Sequence, residues 1–587
     1  MTILGVSDSH NAAAALLLPD GSLSALQEER PRRVKNFHGV PTEAIGWLLD
    51  SRGLKPADIE VVAFAGLPSI PLDRMGWLDF FRRSGTLPAR LRTLAGETPL
   101  RQWVERERQQ RRRDEYVKLG FRPEAIRRFD HHSCHAATAY YGQPEREQPV
   151  LVITVDGGGD GLCSTVSVGR DNRLERLHSV DWSHSFGTLY AVVTYMQGMV
   201  PLEHEYKLMG MAPYASASAS RKLADQLHGL FRWAEDGTPV WRRAPGLPHT
   251  LHIRPTLEKM FYEQRFDAIM GGVQLFTEEM LCELLSRAIR STGIRRVALS
   301  GGVFMNVKAN KRIMELDEVE QLFVFPSCGD ETNAIGAAFL ARAERSGGAA
   351  VPPIDAFYLG PEWSEDEIAK DLAPLRDSGA IVVSRPDSIN EAVAELLAKG
   401  EVVGRFAGRE EFGARSLGNR AILADPRDSE VIRIINEMVK SRDFWMPFAS
   451  SIAAEHADTY LVNPKQVAAP YMILSFDTTE AGSKTLRAGI HPYDRSCRPQ
   501  IVTAAANPNY WDLINRFHAR TGVGGLLNTS LNLHGLPLVH RPADALHVLM
   551  NSGLDWLAIG PLLVTKRVDR AQQEHPDRAP EALATAP

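Results

Sequence analysis

Two histidines four residues apart carry the first chemical signal. Asp130-His131-His132-Ser133-Cys134-His135 runs into Ala136 to Tyr141, a good helical continuation, so His131 and His135 share one helix face and can hold one metal ion. The same spacing also suits a satisfied, partly buried histidine cluster, and without a Glu after the first His the metalloprotease pattern fails. Two acidic turns favour the metal. Asp156 closes the apolar strand Val150 to Val155 and opens Gly157-Gly158-Gly159, where backbone N–H groups can approach a phosphate. Asp330, in Cys328-Gly329-Asp330-Glu331-Thr332-Asn333, precedes the small-residue helix Ala334 to Ala341, whose N-terminus favours anions or nucleotide phosphates. Two histidines and two aspartates of this kind suit a divalent iron- or zinc-like ion with positions left for phosphate oxygens. Singly, each aspartate also reads as a turn or an N-cap.

Three further groups follow. Ser300-Gly301-Gly302-Val303-Phe304-Met305-Asn306 comes after the strand Arg296 to Leu299, and Gly301-Gly302 there is a generic nucleotide cradle or an ordinary tight-packing pair. Asn306 and Asn310 share a helix face and can meet a ribose or adenine edge. His10 sits in the first turn after a strand, where an imidazole titrating near neutrality can take a proton from an alcohol, although a lone turn histidine is commonplace. Between Gly404 and Arg420 four arginines alternate with four glycines, and Lys440, Arg442, Arg498 and Asn528-Thr529-Ser530-Leu531-Asn532 follow. Guanidinium forks beside exposed backbone suit a phosphate or carboxyphosphate; the alternative is a solvated basic face.

These residues need strands and turns to hold them. Strand Ile3 to Val6, polar turn Ser7 to Asn11, strand Ala12 to Leu18, hairpin turn Pro19-Asp20-Gly21 and strand Ser22 to Gln27 form an actin-like opening. The arrangement returns at Val150 to Val155, Asp156 to Gly161 and Ser164 to Val168, which predicts an internally duplicated α/β domain over residues 1–346. A Gly/Ala/Val/Pro linker is expected at 347–353, a second α/β domain at 354–568 and a disordered tail at 569–587. The Arg- and Glu-rich segment from Phe80 to Gly120 reads as a solvated helix with mixed-sign pairs in preference to an anion-binding patch.

The 587 residues are too many for one core, and 44% hydrophobic with 24% charged residues is a soluble globular composition. Sixty-seven basic against 72 acidic residues, a net charge of −5, argues against nucleic acid as a partner. Five dispersed cysteines indicate neither disulfides nor a cysteine zinc site. No apolar run reaches the ~18 residues of a membrane span, and the N-terminus does not read as a secretory signal, so the expected location is cytoplasmic.

Taken in order, the motifs resemble the O-carbamoyltransferases of the NodU/CmcH/TobZ type over nearly the whole chain. The match includes His10-Asn11 with Ala13-Ala14, Glu28-Glu29-Arg30, Asp130 to His135, Asp156-Gly157, Tyr206 to Tyr214, Ser300 to Asn306, Gly329-Asp330, Glu411 to Pro426 and Leu527 to Asn532. The resemblance implies an α/β fold in which a duplicated actin-like domain (ASKHA class, similar to the tRNA threonylcarbamoyl-transfer enzymes) is followed by a YrdC-like domain. It implies ATP and carbamoyl phosphate as co-substrates, with Mg2+ accompanying ATP, a carbamoyl adenylate intermediate, and a small-molecule alcohol, a natural product or sugar, as acceptor. By matching motif, His131, His135, Asp156 and Asp330 would hold the metal, iron by family analogy, and His10 would be the base. Gly157, Gly158, Lys207, Gly301, Gly302, Asn306 and Asn310 would contact the nucleotide. Arg415, Lys440, Arg442, Arg498, Ser530 and Asn532 would bind carbamoyl phosphate and ATP. A homodimer is compatible with the family; nucleic acid and membrane partners are not expected.

The chain departs from the family at three places. It has Met446-Pro447-Phe448-Ala449-Ser450 where Arg-Pro-Phe-Ala-Pro is usual, so one phosphate-binding arginine is absent. It reads Lys35-Asn36, with His38 two residues on, for Lys-His, and His10-Asn11 for His-Asp. Two other readings of the whole chain are an actin-like phosphotransferase, which leaves the C-terminal arginines without a role, and a nucleotide-binding module whose activation site has decayed.

Overall fold

The computed structural model describes residues 1–67, 74–86, 88, 99–440, 443 and 445–567. Arg442 and the expected tail at 569–587 lie outside the described residues.

Two five-stranded sheets share one plan. In the first, Ile3–Ser7, Ala13–Leu17 and Leu23–Gln27 form an antiparallel meander, and Val61–Ala65 then Ile126–Phe129 extend in parallel from the other edge of Ile3–Ser7. In the second, Val150–Gly159, Leu162–Arg170 and Arg173–Asp181 form the meander, and Arg296–Ser300 then Gln321–Val324 extend in parallel from Val150–Gly159. Strand order and direction coincide, which is the duplication expected of an actin-like fold. The central strands are buried on both faces, which is why Ile3–Ser7 reads as a continuous apolar run and not an alternating one.

Two helices, His131–Tyr141 and Asn333–Ser346, pack together in the core that joins these sheets, with Ala137, Ala334 and Ala338 beside Ile3, Ala13 and Val61. Small residues are required by the spacing. A Cβ on Gly5 would lie 1.9 Å from the Ala334 carbonyl oxygen, and one on Gly336 2.1 Å from that of Cys134.

The C-terminal region builds an eight-stranded mixed sheet whose edge strands are Ile381–Ser384 and Pro499–Val502, with its own apolar core around Phe406, Ile422 and Leu527. The segment 347–353, expected to be a linker, is packed against the N-terminal half. Val351 is fully buried in the core of Ile3 and Ala13, its carbonyl accepts from Arg146 Nη2 at 2.7 Å, and a Cβ on Gly348 would strike the Asn172 carbonyl at 1.8 Å. Close packing accounts for Gly348, whereas Gly347, Ala349 and Ala350 are exposed.

The charged helix is present as Pro99–Lys118, and Arg111 pairs with Glu107 on its exposed side. Arg112 departs from the solvated reading: it is buried against the first sheet. Among the described residues no helix is long and apolar enough to cross a membrane.

Candidate functional site

Asp130 caps the helix His131–Tyr141 by accepting from the Ser133 N–H at 2.8 Å, and the first turn then aims His131 and His135 at one point. Asp156 meets them from the second sheet, at the bulge that interrupts strand pairing between Val155 and Gly159. Its Oδ2 lies 3.0 Å from His131 Nε2 and 3.2 Å from His135 Nε2. Asp330 Oδ1 stands 3.6 Å from both nitrogens, and the four ligand atoms lie within 4.8 Å of one another. His135 is steered from behind by Ser300 Oγ, 3.3 Å from its Nδ1. Two imidazole nitrogens and two carboxylate oxygens, one imidazole with its orientation fixed from outside, fit a divalent ion of borderline hardness. His132, on the same helix, bonds instead to Thr154 Oγ1 at 2.8 Å.

The cluster's electrostatics are consistent with that fit. Burial opposes the charged imidazole of His131, but Asp330 and Asp156 outweigh it and raise its pKa to about 10. His135 is raised against the same burial penalty by its bonds to Asp156 and Asp330. Burial would lift the Asp156 carboxyl, yet the two histidines hold it well below the usual range.

The glycine run makes room for its neighbours. A Cβ on Gly159 would fall 2.2 Å from His131 Cγ and one on Gly158 2.0 Å from Trp182 Cδ1, so these glycines admit side chains. Gly157 has nothing within 4 Å. Asp160 completes the turn at φ 50 and accepts from the N–H groups of Leu67 (2.7 Å) and His131 (3.0 Å).

His10 stands in the first sheet's corresponding turn. Its neighbour Ser9 reaches Asp330 Oδ2 at 3.5 Å, which places this turn against the metal-type cluster. His10 Nε2 lies 3.3 Å from the Leu202 carbonyl and Nδ1 has no partner. With Nε2–H donating to that carbonyl, the lone pair falls on Nδ1. Leu202, at φ 63, is held through its N–H by Glu205 Oε1 at 2.7 Å, and burial pushes the Glu205 carboxyl up to about 7. Trp77 meets His10 edge-on at 6.3 Å and, with Phe80, Phe81 and Trp182, forms an aromatic wall. Asp8 is clamped by Arg112 at 2.7 Å through Nε and again through Nη2, while Arg112 Nη1 donates to the Gly66 carbonyl (2.8 Å) and the guanidinium lies 4.1 Å over Phe64. The sequence reading missed Ser9, Glu205, the wall and Arg112. For Arg112 a signal existed: it is four residues before buried Tyr116, on the helix's inward face.

One cavity of about 1430 Å³ is lined by His10, His131, Asp156 and Asp330 and also by Arg415, Lys440, Arg498, Ser530 and Asn532. Lys440 Nζ bonds Ser530 Oγ (3.1 Å) and the Asn532 carbonyl (3.1 Å), and the Arg415 Nε atom has no hydrogen-bond partner. Gly157, Gly158, Lys207, Gly302 and Asn306 line it too. Lys207 is paired with Asp443 at 2.9 Å, and Asn306 caps the helix Val307–Met314 and bonds Gln274.

Two expected nucleotide contacts fall elsewhere. Asn310 is fully buried, its amide donating to the Phe304 (2.7 Å) and Ile473 (2.8 Å) carbonyls, so it ties helix to loop and does not face the cavity. Gly301, at φ 107, lets the chain pass the Val155 carbonyl, which a Cβ would approach to 2.4 Å. Of the four arginines in the glycine-interleaved run only Arg415 lines the cavity. Arg405 donates to the Gly418 carbonyl (2.6 Å), Arg409 to the Leu359 carbonyl (2.8 Å), and Arg420 stacks 3.8 Å over Phe406. Met446 lines the cavity with its sulfur beside Gly210.

Comparison with known proteins gives two family matches, the carbamoyltransferase N-terminus over residues 2–339 and the carbamoyltransferase C-terminus over residues 394–566. Nodulation protein NolNO of Sinorhizobium fredii is 30% identical over 559 residues, 95% of this chain and 79% of that protein. Nodulation protein NolO of Bradyrhizobium diazoefficiens is 34% identical over 441 residues, 75% of this chain and 79% of that protein. The 3'-hydroxymethylcephem-O-carbamoyltransferase of Amycolatopsis lactamdurans is 32% identical over 263 residues, 45% of this chain and 47% of that enzyme.

Proposed function

The chain belongs to the carbamoyltransferase family, and from that premise we propose an ATP-dependent O-carbamoyltransferase with two half-sites. Residues 354–568 would be a YrdC-like activation domain that makes carbamoyl adenylate from carbamoyl phosphate and ATP. Residues 1–346 would transfer the carbamoyl group to a hydroxyl of a small natural product or sugar. The observation that carries this reading is the single cavity shared by the histidine–aspartate cluster and the basic cluster. At about 1430 Å³ it exceeds the ~300–1,000 Å³ of an ordinary small-molecule site, leaving room for a nucleotide intermediate and an acceptor together. A relative named for O-carbamoylation of a hydroxymethyl group agrees with a hydroxyl acceptor.

In activation, Arg415, Lys440 and Arg498 would neutralise the phosphates, with Ser530 and Asn532 holding Lys440 in place. Balance requires one water: carbamoyl phosphate, ATP and water give carbamoyl adenylate, phosphate and pyrophosphate. In transfer, His10 would take the acceptor's hydroxyl proton at Nδ1, the lone pair being fixed there by the Leu202 carbonyl. The alcohol oxygen then bonds to the carbamoyl carbon, the carbon–oxygen bond to the adenylate phosphate breaks, and AMP leaves. An iron-type ion held by His131, His135, Asp156 and Asp330 would supply Lewis-acid stabilisation of the charge on that phosphate. The aromatic wall beside His10 would disfavour water, which competes with the alcohol.

The test uses purified protein with ferrous ion, ATP, carbamoyl phosphate and a panel of alcohols. The expected products are AMP, pyrophosphate and an acceptor heavier by about 43 daltons, the replacement of a hydrogen by CONH2. ADP with a phosphate ester would indicate the phosphotransferase reading instead.

A further inference from the structure

The backbone of Gly413, Ala414 and Arg415 lies in the C-terminal region by sequence but is held by the N-terminal one. The Gly413 N–H donates to Gln27 Oε1 (3.0 Å), its carbonyl accepts from Arg30 Nη2 (2.5 Å), and the Ala414 N–H donates to Ser327 Oγ (2.9 Å). Ser327 donates in turn to Glu331 Oε1 at 2.5 Å, and Glu331 follows Asp330 of the metal-type cluster directly. The contact is close as well as bonded: a Cβ on Gly413, which sits at φ 102, would come 2.4 Å from Ser327 Cβ. Ser327 adopts φ 58, a left-handed conformation that a non-glycine residue keeps only where its surroundings impose it. Both Ser327 and Glu331 are buried, at 5% and 1% exposure, so solvent does not satisfy these groups in their place.

Resting on the two-site reading above, we infer that Ser327 and Glu331 are positioning residues that seat Arg415 over the cavity and tie its placement to the Asp330 turn. The bond sequence runs Asp330 turn, Glu331 carboxylate, Ser327 hydroxyl, Ala414 N–H, Arg415. A shift of that turn moves the acceptor of the Ala414 N–H, and with it the guanidinium that meets the donor's phosphate. The two half-sites are thereby coupled through a bonded path as well as through the shared cavity.

The experiment compares wild type, Ser327→Ala and Glu331→Gln in the full chain. Peptide-level hydrogen–deuterium exchange across residues 411–417 reads the seat without any reaction, and steady-state kinetics with carbamoyl phosphate and ATP reads its consequence. Ser327→Ala should speed exchange of that segment about tenfold and raise the donor KM about tenfold with kcat held within about threefold. Glu331→Gln, whose side-chain carbonyl still accepts from Ser327, should keep most of the protection and of the KM. Unchanged exchange in Ser327→Ala overturns the inference. So does a joint fall of kcat, donor affinity and melting temperature, which marks plain packing. A wild type without turnover would sink the carbamoylation reading, while the exchange data would still decide the seat.

Discussion

The turns after the first strand of each five-stranded sheet occupy the same place in a repeated plan and do different chemistry. The first, polar turn carries His10 and needs an outside clamp: Arg112, from the helix Pro99–Lys118, grips Asp8 and the strand end at Gly66. The second carries Asp156 and needs close approach, which Gly158 and Gly159 provide by admitting Trp182 and His131 where side chains would collide. Duplication supplies two loops at the edge of one cavity; residue type then decides that one presents an imidazole with an unpartnered nitrogen and the other a carboxylate between two histidines. A polar turn must be held by side chains from elsewhere, whereas a glycine turn is held by what packs into it.

Breaking the second turn should have the largest effect. Asp156→Asn removes the carboxylate facing both histidines, and transfer should fall by about 10³-fold or more with loss of bound metal, read by metal analysis and product formation. Breaking the first turn's clamp comes next: Arg112→Met leaves Asp8 buried without its cation and should cost about 3–5 kcal/mol of stability in denaturant melts. Within the second turn, Gly159→Ala forces a Cβ onto His131 and should cost about 1–3 kcal/mol together with metal affinity. Gly157→Ala, which meets nothing, should sit near wild type in both measurements. A further effect is one of pH. The raised pKa of His131 stabilises the metal-free protein fully below the usual histidine value of about 6.5, and that contribution is lost as pH rises towards about 10. Asp156, held low, contributes above the ordinary carboxylate range and loses its contribution as pH falls. The melting temperature of metal-free protein should therefore decline from pH 7 to 10, and a divalent ion should reverse the decline because binding displaces those protons.

Much of this was legible in the residues. The meander of the first sheet, its hairpin turn at Asp20-Gly21 and the four ligand-type residues all follow from apolar runs, turn chemistry and spacing. What the sequence could not separate was glycine for phosphate from glycine for packing: Gly158, Gly159 and Gly301 read alike until their neighbours are known. Arginine was ambiguous in the same way. Arg405, Arg409 and Arg420 bond carbonyls of their own region and Arg415 lines the cavity, a distinction made by tertiary contacts alone. Asn310 shows the limit of helical spacing, which places it on the face of Asn306 without saying that loop carbonyls cover that end of it.

The central claim is a division of labour across one cavity, with activation at the basic end and transfer at the histidine–aspartate end. Pyrophosphate release and acceptor carbamoylation measured side by side in Asp156→Asn and Lys440→Met test it most directly. The account predicts that Asp156→Asn keeps pyrophosphate release while losing carbamoylation, and that Lys440→Met loses both. Loss of pyrophosphate release in Asp156→Asn, or carbamoylation persisting in Lys440→Met, would contradict it.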